Sequence, residues 1–344
     1  MTRLTRLMRT DVPIVLGPFG GASSVELAGV VADSGGLGSY GLYGYDRERI
    51  REVTAALRAR TQGAIALNLW LPTGDEALPG DVDLEPGHGV GRLLDEMGAE
   101  LSVPARFLPP FEEQLEAALE GRPAVLSLVY GAPALHVVEA AHAAGAAVIA
   151  TATTVPEAVA LEAAGVDAIV ASGAEAAGHR VSFLHDPEDA LVGTFALVPQ
   201  VVDAVRVPVL AAGGIADRRG VAAAFALGAE GVVVGTAFLR TRQSAICASY
   251  RRAILGAAAH DSVLTTAMSG RLARGLRNRA MSVLEDEPIL PFPAQNWLTG
   301  KFRAEAARRD QADLLSLWIG QAAPLAIMAE ADDVFRELAH GVPS

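Results

Sequence analysis

Residues 207–239, VPVLAAGGIADRRGVAAAFALGAEGVVVGTAFL, contain a complete strand–turn–helix–strand–turn unit that constrains the fold more than any other stretch. Residues 207–212 are a short apolar run without charge, the mark of a strand buried on both faces of a parallel sheet. Gly213 and Gly214 end it. Asp217 then caps a helix whose Val221, Ala224, Phe225 and Gly228 form an apolar face, with Gly228 as its C-terminal glycine. A second buried strand, residues 231–234, stops at Gly235 and Thr236. In a parallel α/β barrel the turns after the last two strands commonly bind phosphate, because bare backbone N–H groups converge there and glycine lets a ligand approach. The Gly213-Gly214 and Gly235-Thr236 turns are therefore the expected phosphate site.

The rest of the chain repeats this unit. Further strands are expected at residues 12–18, 37–42, 64–71, 124–130, 147–151 and 168–172, and helices at 23–34, 46–60, 111–120, 135–144, 155–164 and 195–205. Strands alternating with helices of this length predict right-handed crossovers, and eight of them predict an α/β fold of the (β/α)8 TIM-barrel type. Residues 1–242 would form the barrel and 243–344 a mainly helical C-terminal extension packed on it, in which 288–293 is too proline-rich for helix. Residues 73–104 break the rhythm after the third strand with Pro, Gly and acidic residues. Their place on the C-terminal rim predicts a mobile cover.

Composition narrows the function classes. Hydrophobic residues at 51% and charged residues at 20% describe a globular chain with a large core. Lys and Arg number 28 against 40 Asp and Glu, a net charge of −12 that argues against a nucleic-acid partner. The single cysteine, Cys247, can form no internal disulfide and offers no thiolate cluster, which fits a cytoplasmic location. Arg3, Arg6 and Arg9 precede an apolar PIVLG, but Asp11 and Pro13 interrupt the transition and no cleavage site follows, so no secretory signal is expected. The Ala-rich stretch 134–152 is broken by His136, Glu139 and His142, so no membrane role is expected either. A homo-oligomer is left open.

Several motifs need weighing. Gly36-Leu37-Gly38-Ser39-Tyr40-Gly41 satisfies G-x-G-x-x-G, but it leaves a helix and enters a strand, the wrong order for a dinucleotide site. Asp81, Asp83 and Glu85 resemble the start of a calcium loop, yet the twelfth position is Arg92 rather than glutamate, and no H-E-x-x-H occurs, so no metal is expected. Residues 171–180, ASGAEAAGHR, place Glu175 and His179 in a rim turn after the sixth strand, where barrel chemistry sits; by position alone His179 is either a proton-transfer group or a surface histidine. Asn68, among apolar neighbours in ALNLWLP, must bond either an adjacent strand or a polar ligand. Arg271, Arg274 and Arg277, with Asn278, recur in SGRLARGLRNR at a spacing that lines one face of a helix, read as a solvated basic face in preference to an anion clamp because Gly275 weakens the helix.

Taken together, these segments resemble the nitronate monooxygenase family, formerly 2-nitropropane dioxygenases, which are FMN-dependent TIM-barrel enzymes. The likeness runs through PIVLGPFGG, ALNLWLP, VLSLVYG, the block ending in ASGAEAAGHR, LVPQVVDAV, AAGGIADRRGV, VVVGTAF, SGRLARGLRNR, PFPAQNWL and LWIGQAA. It implies FMN as cofactor, oxidation of alkyl nitronates and nitroalkanes with O2 to a carbonyl compound and nitrite, and His179 as the catalytic residue. FMN contacts would fall on Gly17, Pro18, Phe19, Asn68, Ser172, Ala177, Gly178, Gly213, Gly214, Val233, Val234, Gly235 and Thr236. Four positions depart from the family pattern: Phe19 replaces a usual methionine, Ser172 a common glutamine, and Ala177 and Val181 usual glycines. Rival readings are an NAD(P)H-dependent flavin reductase acting on quinones or enoyl thioesters, and a flavin-binding protein with a degraded site. IMP-dehydrogenase-like barrels need a loop cysteine, and Cys247 lies beyond the last strand.

Overall fold

The computed structural model of the chain describes residues 1–82, 84 and 87–343. The ring consists of β1 (Ile14–Leu16), β2 (Gly38–Gly41), β3 (Ile65–Trp70), β4 (Val125–Val129), β5 (Ala147–Ala152), β6 (Ala168–Ser172), β8 (Val209–Ala212) and β9 (Gly231–Val234), while β7 (Gly178–His179) lies outside it. All neighbours pair parallel, β9 returns to β1, and Leu37 closes the circle by donating to Ile14 O at 2.9 Å and accepting from Leu16 N at 3.0 Å. The TIM barrel read from the alternating pattern is thus present.

Period-two alternation sorts each strand into an inner and an outer face. Val15, Ala66, Val125, Ala147, Ile149, Ala168, Val170, Leu210 and Ala212 point inward and pack together, whereas Leu67, Leu69, Leu126, Leu128, Ala211 and Val232 pack on the surrounding helices. The N-terminal helix Arg3–Met8 plugs the bottom of this interior with Leu4 and Met8, both fully buried. The arginines that flank them belong to a barrel stopper. Glycines of the G-x-G-x-x-G pattern serve close packing: a side chain at Gly36 would meet Phe335 at 2.5 Å and Ile14 O at 2.8 Å, and one at Gly41 would meet Phe19 O at 2.8 Å.

Two expectations need correction. Helix Gly89–Met97 lies within the 73–104 insertion and buries Val90, Leu93, Leu94 and Met97 against helix Ala294–Arg308, so this half is core and not a mobile cover. Those residues sit at i, i+3, i+4 and i+7, the spacing of one helix face. The SGRLARGLRNR segment is not helical before Arg279, where a helix capped by Asn278 begins. Its central residues form β11 (Ala273–Leu276), antiparallel to both β10 (Ser262–Thr265) and β7. Gly270 at φ +82° and the edge offered by β7 favour a strand that local spacing could not reveal. The three arginines at helical spacing then go three ways: Arg271 over the barrel mouth, Arg274 into the interior on Ala174 O and Ser262 O, and Arg277 to Glu285 at the surface.

Candidate active site

Four consecutive ring strands, β6, β8, β9 and β1, carry most of the expected cofactor contacts at their C-terminal ends. β8 ends in Gly213 at φ +101° and Gly214 at φ +72°, conformations that glycine adopts at least cost. A side chain at Gly213 would also come within 2.9 Å of Thr194 Oγ1 and 3.1 Å of Ala176 N. β9 runs into Gly235 and the single-turn helix Thr236–Leu239. Among the described residues, the backbone N–H groups of Gly214, Gly235 and Thr236 have no intramolecular hydrogen-bond partner. The Thr236 hydroxyl accepts from Gly320 N at 3.0 Å, which leaves its own proton for another acceptor. Gly17 N donates to Val234 O at 2.8 Å and ties the end of β1 to β9, with the Phe19 ring 3.8 Å from where a side chain on Gly235 would begin. Val233 points into the barrel, while Val234 is fully buried on the outer face and could meet a ligand through its backbone alone. Pro18 is exposed on the rim.

The loop after β6 completes this half. Glu175 is turned away from chemistry, its carboxylate accepting from Thr194 N at 2.9 Å and Thr194 Oγ1 at 2.8 Å at the start of helix Thr194–Ala204. The backbone oxygens of Ser172 and Gly173 accept from the buried Arg180 guanidinium. Ala177 is not in the positive-φ region and Gly178, at φ +75°, is, so the alanine replacing a usual glycine imposes no backbone strain. Val181 is buried with Val129 and Tyr130 under Trp70, so this departure builds a wall. Asn68 lies inside the barrel and donates through its amide nitrogen to Ser127 O at 3.2 Å and Ser127 Oγ at 3.1 Å on the adjacent strand, while its Oδ1 has no protein partner among the described residues.

The other half of the mouth is aromatic, and His179 stands against it. Trp70 meets Tyr43 at 4.4 Å, Tyr130 at 4.8 Å, His179 edge-on at 5.0 Å and Phe292 at 5.8 Å between ring centroids. Trp318 comes up to 5.5 Å from His179 on the segment LWIGQAA, which crosses the mouth from Leu317 O, bonded by Leu276 N, to Gln321 N, bonded to Glu175 O. Gly275 is what makes room for it, since a side chain there would strike the Trp318 ring at 2.8 Å. The Arg271 guanidinium lies 4.6 Å over Tyr130 and 4.1 Å over Phe292, and pairs with Asp75 at 2.6 Å, anchoring the front of the rim insertion. Arg303 bonds Ser316 and Asn296. Desolvation, then the Arg271 and Arg303 guanidiniums, push the His179 pKa down to about 3, so its imidazole is neutral near pH 7. Burial raises the Tyr43 phenol to about 12, despite the Asn296 amide donating to its oxygen at 3.2 Å.

The sequence reading missed Tyr43, Tyr130, Phe292, Trp318, Ser269 and Arg303. Trp70 alone carried a signal, since it shares the inward parity of Asn68 on β3. The acidic motif of the rim falls partly outside the described residues, at Asp83 and Glu85; Asp81 accepts from Leu78 N at 2.8 Å.

A parallel barrel that faces glycine turns with unpaired N–H groups toward a neutral histidine in an aromatic pocket has the make-up of a cofactor-dependent barrel enzyme. Residues 1–341 match the family model for nitronate monooxygenase. A probable nitronate monooxygenase of Staphylococcus aureus is 36% identical over 346 residues, covering 98% of this chain and 96% of that protein. A nitroalkane oxidase from Streptomyces ansochromogenes superposes with a TM-score of 0.87 at 32% identity, over 98% of this chain and 97% of that one. FabK from Thermotoga maritima does so with a TM-score of 0.76 at 28% identity, over 98% and 94%. The chain belongs to the nitronate monooxygenase family and is a flavin-dependent oxidoreductase.

Proposed function

We propose that the protein oxidises alkyl nitronates, and nitroalkanes once deprotonated, to a carbonyl compound and nitrite, with O2 and bound FMN. The observation that carries this reading is the pairing, at one barrel mouth, of the bare Gly214, Gly235 and Thr236 N–H groups with His179 in its aromatic pocket. Those turns suit a monophosphate, which can accept from all three donors and from the Thr236 hydroxyl. Gly17, Pro18, Phe19, Ser172, Ala177, Gly178, Gly213, Val233, Val234 and, across the barrel, Asn68 would hold the remainder. Bound there, FMN would supply the electron-accepting ring and the route to O2.

The chain's own residues do the rest. Trp70 and Trp318 flank the half-buried His179 ring, and Tyr130 backs Trp70. The Arg271 and Arg303 field that disfavours an imidazolium in the empty pocket favours the anionic nitronate, and the nitronate's own negative charge offsets that field at the ring, so a proton leaving the α-carbon of a nitroalkane can pass to His179 as an ion pair with its product. The whole-length likeness to FabK favours a second reading, an NAD(P)H-dependent flavin reductase acting on quinones or enoyl thioesters, for which the same histidine and turns would serve.

Nitrite formation and O2 uptake test the first reading. Wild-type protein should turn over both an alkyl nitronate and its neutral nitroalkane, and His179→Asn should lower the nitroalkane rate about 10²–10⁴-fold, the worth of a positioned base, with far less effect on the nitronate. A nitronate KM that rises with unchanged nitroalkane turnover would assign His179 to anion binding, and full activity on both would remove it from the mechanism.

A further inference from the structure

Ser269 lies in the turn between β10 and β11, and it is 1% exposed. The turn is clamped from outside: Thr299 Oγ1 donates to Met268 O at 2.6 Å and Gln295 Nε2 to Ala267 O at 2.6 Å. Gly270 allows no side chain, which would lie 2.6 Å from Leu290 O. Within this frame the Ser269 hydroxyl has three neighbours: Arg271 O at 3.1 Å, Arg271 N at 3.3 Å and His179 Nε2 at 2.8 Å.

A hydroxyl has one hydrogen to give and two lone pairs to receive. The Arg271 carbonyl can only accept and the Arg271 N–H can only donate. When the hydroxyl hydrogen goes to the carbonyl, both remaining neighbours must be donors, so His179 carries its proton on Nε2. This assignment satisfies every group, whereas a hydroxyl donating to Nε2 strands the Arg271 carbonyl, which has no other donor among the described residues. Nδ1 then bears the free lone pair. It has no protein partner among the described residues and is not a sealed atom.

The geometry points to Ser269 as a positioning residue that fixes the Nε2–H tautomer of His179 and presents Nδ1 as the nitrogen that meets the substrate's proton. The inference rests on the function proposed above. In the step it serves, the α C–H bond of a nitroalkane breaks, the proton passes to Nδ1, and the bonding electron pair moves onto the nitro group to give the nitronate. Ser269 touches neither the α-carbon nor Nδ1 and acts only by holding the ring and its Nε2 proton.

The test is nitrogen-15 NMR of histidine-labelled, flavin-loaded protein, with His179→Asn identifying the signal, combined with kinetics on both substrate forms. Wild-type His179 should show a protonated Nε2 and an unprotonated Nδ1, and Ser269→Ala should show the two tautomers mixed. The same variant should lose about ten- to a hundredfold in kcat/KM on a neutral nitroalkane, part of the range for a positioned base, while the nitronate stays within about twofold. A Ser269→Thr variant that melts with the wild type should keep the wild-type signal and rate. A wild-type protein protonated on Nδ1, or a spectrum unchanged in Ser269→Ala, would overturn the inference. Absence of nitroalkane turnover in wild type combined with the Nε2–H spectrum would instead count against the proposed function, so the two failures are distinguishable.

Discussion

His179 shows how a side chain of ordinary chemistry is made specific by what surrounds it. Its ring is held by Ser269, flanked by Trp70 and Trp318, and placed in the field of two guanidiniums. The depressed pKa has a stability consequence whose sign is fixed. Below the ordinary value of 6.5 the unfolded chain binds a proton at this residue that the folded chain refuses until about pH 3, so folding stability falls as pH drops through that window and gains nothing above it. His179→Asn removes this contribution. Wild-type protein should therefore lose more melting temperature between pH 7 and about pH 5 than the variant does, and parallel curves would show that the histidine is not held neutral. The sequence pointed to this residue through its place after the sixth strand. It could not point to Ser269, Trp318 or Arg303, which reach the site from the C-terminal extension through contacts between residues far apart in the chain.

At the scale of elements, the legible part of the fold was whatever depends on local pattern. Strand ends, the Asp217 cap and the two glycine turns could be read because alternation, capping chemistry and glycine are local signals. β11 was misread as helix because three arginines at helical spacing say nothing about the partner strand, and β7 is only two residues long. Helix Gly89–Met97 was overlooked although Val90, Leu93, Leu94 and Met97 mark an apolar face, because prolines and acidic residues just before it suggested an irregular cover. Its packing makes a direct prediction. Leu94, 1% exposed, should cost about 2–5 kcal/mol when replaced by alanine, the usual range for a buried leucine, as read from denaturant unfolding. A loss below about 0.5 kcal/mol, the range of an ordinary surface substitution, would mean that the helix is detached from the core.

At the scale of the whole molecule, the barrel brings glycine turns from one side of the ring and an aromatic pocket from the other to a common mouth, and the C-terminal extension closes over it with Phe292, Trp318 and Arg271. The N-terminal helix stoppers the opposite end. Among the described residues no helix is long and apolar enough to cross a membrane. If the Gly214 and Gly235-Thr236 turns hold the cofactor's phosphate, Gly235→Asp should yield folded, colourless protein, because the carboxylate repels phosphate while a side chain there meets nothing nearer than Phe19. Stoichiometric FMN in that variant would place the phosphate elsewhere. The most direct measurement of the central claim is anaerobic flavin reduction in the purified protein, followed by its absorbance on mixing with an alkyl nitronate or with NAD(P)H. The account predicts rapid bleaching by the nitronate and none on the same timescale by NAD(P)H; rapid bleaching by NAD(P)H with no response to the nitronate would contradict it and make the protein a flavin reductase.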